Sequence, residues 1–193
     1  MILAPDPQIG TSPLRNSEFE KTHSRGRVIS DRVGGEKART IIDVGAYLGE
    51  TAEWFSVLFP NATVWAVEPF PDSFAELALT SNPRIKPFNF AVTNFDGQVQ
   101  LHFNSIPHTN GIYPINSESS DSLSIVQAGV DTNKHANSTV GDLTVNARSL
   151  NSFVAEQNIQ KIDLLKIDVQ GAEVDVLDGS RQILDRVGIC QGV

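Results

Sequence analysis

Four acidic positions and two glycines stand where this chain could build a ligand site. Asp43-Val-Gly-Ala-Tyr-Leu-Gly49 sets Gly45, Ala46, Tyr47 and Gly49 in one short turn, and Glu68 follows 23 residues after Gly45. A glycine at the end of a strand lets the backbone pass close to a ligand, and the helix behind it offers free N–H groups. A carboxylate at about this distance, after the second strand, accepts two hydroxyl donors side by side, as a ribose presents them. A second acidic segment, Asp168-Val-Gln-Gly-Ala-Glu173, lies far along the chain. Asp168 is the first candidate for a general base, and Glu173 could help as base or ligand. Together the two segments describe a nucleoside site with a second pair of acids beside it.

The turn also discriminates among nucleosides. A dinucleotide needs G-x-G-x-x-G to admit its pyrophosphate. Here the residue two after Gly45 is Tyr47, and Asp43 adds a negative charge that disfavours phosphate. A carboxylate at 43 could instead hold the ammonium of an amino-acid tail, directly or through water. S-adenosylmethionine (SAM) carries such a tail. Asp43 also reads as a helix cap or loop anchor, and Glu68 as a surface acid. Phe70, after Glu68-Pro69, either packs on the adenine or belongs to the core.

Alternating strand and helix patterns position these residues. Thr40–Val44, Ala62–Val67 and Ile85–Val92 are expected strands, with helices over Gly49–Phe59 and Pro71–Ser81 between them. Short connections of this kind imply right-handed crossovers and a doubly wound, mostly parallel α/β sheet. Ligands bind such sheets at the carboxyl ends of the strands, where Asp43–Gly49, Glu68, Ala91 and Asp168 fall. Gln98–Phe103 and Leu143–Asn146 alternate as half-exposed strands, and the Ser/Asn/Asp/Gly-rich stretch between them reads as a lid, the insertion spanning about 95–146. A helix over Ser149–Gln157, a strand over Ile162–Ile167, a helix over Gly171–Arg186 and a strand from Val187 complete the pattern. Residues 1–39 read as a flexible leader with a short helix near Ser17–His23, ahead of a domain at 40–193. His102, His108 and His135 fall in or beside the insertion, as solvated loop residues or as a lid base.

Composition narrows the partners. The total charge of −8 divides into +2 over residues 1–40 and −10 over the rest. An acidic body repels phosphate backbones, so nucleic acid is not the expected partner. No run of about 18 apolar residues is present to span a membrane, and the N-terminal residues lack the pattern of a secretory signal. A single cysteine, Cys190, forms no internal disulfide. The expected location is the cytoplasm. Two carboxylates, Asp168 and Glu173, are too few to assign a metal site.

The ordered blocks Asp43-Val-Gly-Ala-Tyr-Leu-Gly-Glu-Thr51, Val67-Glu-Pro69, Ala91-Val92 with Gly97, Asp163-Leu-Leu-Lys-Ile-Asp-Val-Gln-Gly-Ala-Glu173 and Val176-Leu-Asp-Gly179 resemble the FkbM-type SAM-dependent methyltransferases. The resemblance runs from about residue 40 to the C-terminus. It implies a Rossmann-like class I methyltransferase fold and methyl transfer to a hydroxyl of a sugar or small natural product. It also implies that Asn110-Gly111 and Ser122-Leu123 lie where the lid approaches the acceptor. Two departures stand out. Tyr47 replaces the family's usual Asn at a position that favours positive φ, and the chain stops in the fifth core strand. A sheet ending there needs a partner or a second copy over its edge, or the chain is a fragment. The alternatives to methyl transfer are a SAM-binding domain without turnover and a nicotinamide-dependent oxidoreductase.

Overall fold

The computed structural model of the protein describes residues 26, 28–114 and 138–192. Five parallel strands form the main sheet in the order β3-β2-β1-β7-β8. They are β1 (Thr40–Val44), β2 (Thr63–Val67), β3 (Ile85–Phe88), β7 (Ile162–Ile167) and β8 (Val187–Gly192). Strand order reverses between β1 and β7, so the carboxyl ends of these two strands flank the crevice where ligands bind such sheets. This is a Rossmann-like, doubly wound α/β sheet. β8 is its outer strand on one side.

Both faces of the central strands are buried, which is why β1 and β7 read as continuous apolar runs. Alternate residues serve opposite faces. Ile41 and Leu164 pack under helix α1 (Glu50–Leu58) with Trp54, Phe55 and Phe59. Ile42, Val44, Leu165 and Ile167 pack on the other face with Leu150 and Phe153 of α3 (Leu150–Glu156) and Val176 of α4 (Glu173–Asp178). Ser149 caps α3, its hydroxyl accepting the Ser152 N–H.

Several boundaries differ from the sequence expectation. The run Ile85–Val92 is two strands, since β4 (Ala91–Val92) leaves the main sheet and pairs with β6 (Thr139–Arg148). The break falls at Asn89, whose side-chain amide donates to the carbonyls of Glu68 and Pro69, and at Phe90, which turns into the core. β6 also pairs antiparallel with β5 (Gly97–Asn104), giving a second, three-stranded sheet. Helix α2 (Pro71–Leu77) is shorter than Pro71–Ser81, because the side chains of Thr80 and Asn82 donate to Glu53 of α1 and draw the chain aside. The helix expected over Gly171–Arg186 shrinks to α4 and a later 3₁₀ turn at Leu184–Arg186. Gly179 sits so close to β4 that an added Cβ would lie 2.1 Å from the Thr93 carbonyl oxygen, which leaves no room for a helix continuing with side chains there.

Ordered structure begins before Thr40. Residues 28–33 are helical, and Ile29 and Val33 pack against the α1 side of the core. The helix expected near Ser17–His23, along with Ser122, Leu123 and His135, lies outside the described residues. No helix among the described residues is long and apolar enough to cross a membrane.

Candidate active site

A cleft opens over the carboxyl ends of β1, β2 and β7, roofed by the second sheet and the segment that follows β5. Its floor is the turn after β1. Gly45 has φ 78°, Tyr47 φ 51° and Gly49 φ 96°, so three of five residues adopt left-handed backbone. The Gly45 and Ala46 N–H groups both donate to the Val67 carbonyl at 3.0 Å, which ties this turn to the end of β2. Tyr47 bears the positive φ that its position implied, at a cost most side chains avoid. An ideal Cβ on Gly45 would lie 1.8 Å from the Asp168 carbonyl oxygen, so the turns after β1 and β7 touch through backbone alone.

Glu68 forms the side of the cleft. One carboxylate oxygen accepts the Tyr47 N–H at 2.9 Å and the other the Phe70 N–H at 2.9 Å. Each oxygen keeps acceptor capacity for a further donor. Burial is the largest influence on this carboxyl and lifts its pKa to about 7, against the pull of the two backbone N–H donors. In the unfolded chain the group titrates near 4.5. Its protonated form therefore stabilises the fold fully below about pH 4.5, and that contribution is lost as pH rises through about 7. Between pH 6 and 8 the loss is roughly 1 kcal/mol. Glu68→Gln should flatten this part of the stability profile in thermal melts of the ligand-free protein; an unchanged profile would place the titration elsewhere.

Beyond Glu68 the cleft turns apolar. Phe70, Ala91, Leu101 and Ile112 line it. Phe70 meets Phe103 at 6.0 Å between ring centroids and packs against the small cluster of the second sheet, so it is at once a wall and a core residue. Ala46, Tyr47 and Pro69 also line the cleft. Gly45, Ala46, Tyr47, Glu68, Pro69, Phe70 and Ala91 are thus brought together as the sequence led us to expect.

Two expected cofactor residues stand apart. Gly49 is not on the wall; it precedes α1, and an added Cβ there would lie 2.8 Å from Leu77 Cδ1. Asp43 is fully buried behind the turn and is likewise off the wall. The register of β1 and β7 sets Asp43 directly opposite Lys166. Lys166 Nζ lies 2.9 Å from Asp43 Oδ1 and donates to the Gly45 carbonyl at 3.0 Å. Burial pushes the Asp43 carboxyl up and the Lys166 ammonium pulls it back. Burial would lower Lys166, but Asp43 and Asp168 together hold it above the ordinary lysine range. Asp43 thus forms an ion pair beneath the turn.

Asp168 reaches the cleft from the end of β7, partly exposed. Its Oδ1 accepts the Gln170 side-chain amide at 2.9 Å, and its Oδ2 lies 3.6 Å from Lys166 Nζ. Glu173 does not line the cleft. Its Oε1 accepts the N–H groups of Val169 and Gly171, both at 3.2 Å, so it anchors its own loop. The acid at a helix start takes the role that its position favours.

The opposite wall carries groups that the sequence did not single out together. Pro107, His108 and Asn110 face Asp168 and Gln170 across the cleft. Buried Asn104 fixes this segment: its N–H donates to Asn110 Oδ1 at 2.8 Å and its side-chain amide to the Thr109 carbonyl at 2.6 Å. Tyr113 fastens the far end, its hydroxyl donating to Asp175 Oδ2 at 2.6 Å. His102 instead pairs with Asp142 across the β5–β6 hairpin and does not line the cleft. The flanking Asn104 and Asn110, both able to bond backbone, were the available signal for a built wall. Among the described residues no group of three or more His, Cys, Asp and Glu side chains is placed to hold a metal ion.

The cleft suits a nucleoside with a positively charged tail better than a dinucleotide. Glu68 and Asp168 line it, Glu50 opens α1 at its floor, and Lys166 is already engaged by Asp43. A pyrophosphate would meet carboxylates where it needs donors.

A Rossmann-like sheet with an acid after β2 is the arrangement on which many nucleoside-binding α/β proteins are built. Comparison with known proteins makes this specific: the Methyltransferase FkbM domain family matches residues 43–191, and the chain belongs to that family. It is 27% identical over 154 residues to the 2-O-methyltransferase NoeI of Sinorhizobium fredii, covering 76% of this chain and 59% of that protein. It is 30% identical over 155 residues to the hexuronic acid methyltransferase AglP of Haloferax volcanii, covering 79% and 54%. It is 26% identical over 153 residues to the methyltransferase sdnD of Sordaria araneosa, covering 72% and 59%. The chain thus spans somewhat over half the length of the curated relatives it matches. No solved structure matches it significantly.

Proposed function

We propose that this protein is a SAM-dependent O-methyltransferase acting on a hydroxyl of a sugar or small natural product. The observation that carries this reading is Glu68. It is a buried carboxylate on the cleft wall, held by the N–H groups of Tyr47 and Phe70, with capacity left for two ribose hydroxyls. Phe70, Ala91 and Leu101 offer the adenine an apolar slot beside it. When bound, SAM supplies an electrophilic methyl group on a sulfonium. Asp168 Oδ2, facing Lys166 and not engaged by Gln170, takes the proton of the acceptor hydroxyl. His108 and Asn110 hold the acceptor against it, so that positioning does much of the catalytic work. Family membership and the names of the relatives support a hydroxylated small-molecule acceptor.

Glu68→Ala should weaken SAM binding by roughly 1–3 kcal/mol through lost hydrogen bonds to a charged acceptor, measured by calorimetry. Turnover is tested with methyl-labelled SAM on a panel of neutral glycosides, uronosides and hydroxylated natural products. Label transferred to any of them supports the enzyme. Tight SAM binding without transfer to any member would favour a binding domain, a reading motivated by the chain's partial coverage of its relatives.

A further inference from the structure

We infer that Lys166 is a positioning residue that shapes the cofactor turn and fastens it to the acceptor side of the cleft. The inference rests on the SAM reading above. Lys166 projects from β7 on the α1 face of the sheet, buried, with its amine at the junction of the two turns. Three oxygens surround that amine: Asp43 Oδ1 at 2.9 Å, the Gly45 carbonyl at 3.0 Å and Asp168 Oδ2 at 3.6 Å. Two belong to β1 and its turn, and one to the end of β7.

The contact with the Gly45 carbonyl is the informative one. Gly45 has φ 78° and lies against the backbone of Asp168; its carbonyl shares a peptide plane with the Ala46 N–H, and the Tyr47 N–H follows in the next peptide of the same turn. Those groups in turn reach the end of β2 and the Glu68 carboxylate. A charged donor on the Gly45 carbonyl therefore sets the position of Glu68 through the turn. The same charge compensates the buried Asp43 and the partly exposed Asp168. Asp43 is one of two carboxylates that compensate the ammonium, and it does not line the cleft.

A purely structural ion pair makes a different forecast. Replacing a buried pair by apolar residues of similar volume usually preserves stability. The combined variant Asp43→Leu with Lys166→Met should thus unfold cooperatively near the wild-type temperature. If Lys166 positions the turn, this folded variant binds SAM at least about tenfold more weakly in calorimetry. Asp43→Asn alone, which leaves the amine on the Gly45 carbonyl and Asp168, should stay within about threefold of wild type. SAM affinity within about threefold of wild type in the folded double variant would overturn the inference. So would a tenfold loss in Asp43→Asn, which would assign the effect to the carboxylate; that arm decides the matter if the double variant does not fold. Wild-type protein that fails to bind SAM would instead overturn the cofactor reading itself, before any variant is compared.

Discussion

Asp168→Ala should lower kcat for methyl transfer by about 10²–10⁴-fold, the usual contribution of a positioned proton acceptor. SAM affinity should change little. The asymmetry follows from geometry: Asp168 lines the cleft beside Gln170 and opposite His108, while the groups that would hold the nucleoside are Glu68 and the turn after β1. Asp168→Asn is the sharper companion. It keeps the shape of the side chain and removes its ability to take a proton, so it should lose nearly as much kcat as alanine. Steady-state kinetics on an accepted hydroxyl substrate, set beside calorimetry with SAM, separates the two effects. Equal losses of binding and turnover would mean that Asp168 supports the cofactor turn and is not the base.

The second large effect is expected at Gly45. Alanine there places a methyl group 1.8 Å from a backbone oxygen, which no side-chain rotation relieves, and holds an L-residue at φ 78°. Left-handed backbone costs roughly 1–2 kcal/mol, and forcing atoms into a packed site costs typically about 1–3 kcal/mol more. The expected destabilisation is therefore roughly 2–5 kcal/mol, together with loss of SAM binding as β1 and β7 are pushed apart. Gly171→Ala is the control. Its φ is 98°, but nothing lies within 4 Å of the added carbon, so only the backbone cost of roughly 1–2 kcal/mol applies. Thermal melts of the two variants should rank in that order. Equal losses would show that the contact between the two turns contributes nothing.

The parts of this site legible in the sequence are those fixed by local pattern. β1 and β7 are bounded as expected, because a buried parallel strand is a short apolar run with a distinct stop. The place of Glu68 beside the turn is legible from its distance to Gly45, and the strain at Tyr47 from the Asn that the resembled family has there. What pattern did not reveal depends on register between distant segments. Asp43 and Lys166 are opposite each other only because β1 and β7 pair as they do, and no local signal couples positions so far apart. Glu173 is ambiguous in the sequence for a different reason: an acid at a helix start serves equally as a loop anchor, and here it accepts the N–H groups of Val169 and Gly171. The break at Asn89 was hidden inside an apolar run, since it depends on carbonyls presented by the Glu68-Pro69 corner. His108 and Asn110 reach the cleft because the chain after β5 folds back on that strand, pairing Gly111 with His102.

The central claim is that the cleft at the β1–β7 switch point is built for SAM, with Glu68 as its ribose acceptor. Calorimetric titration of the purified protein with SAM, S-adenosylhomocysteine and NAD tests it most directly. Both SAM and S-adenosylhomocysteine should bind, more tightly at pH 8 than at pH 6 as Glu68 ionises through about 7, and NAD should give no measurable heat. Binding of NAD with neither SAM nor S-adenosylhomocysteine would contradict the account.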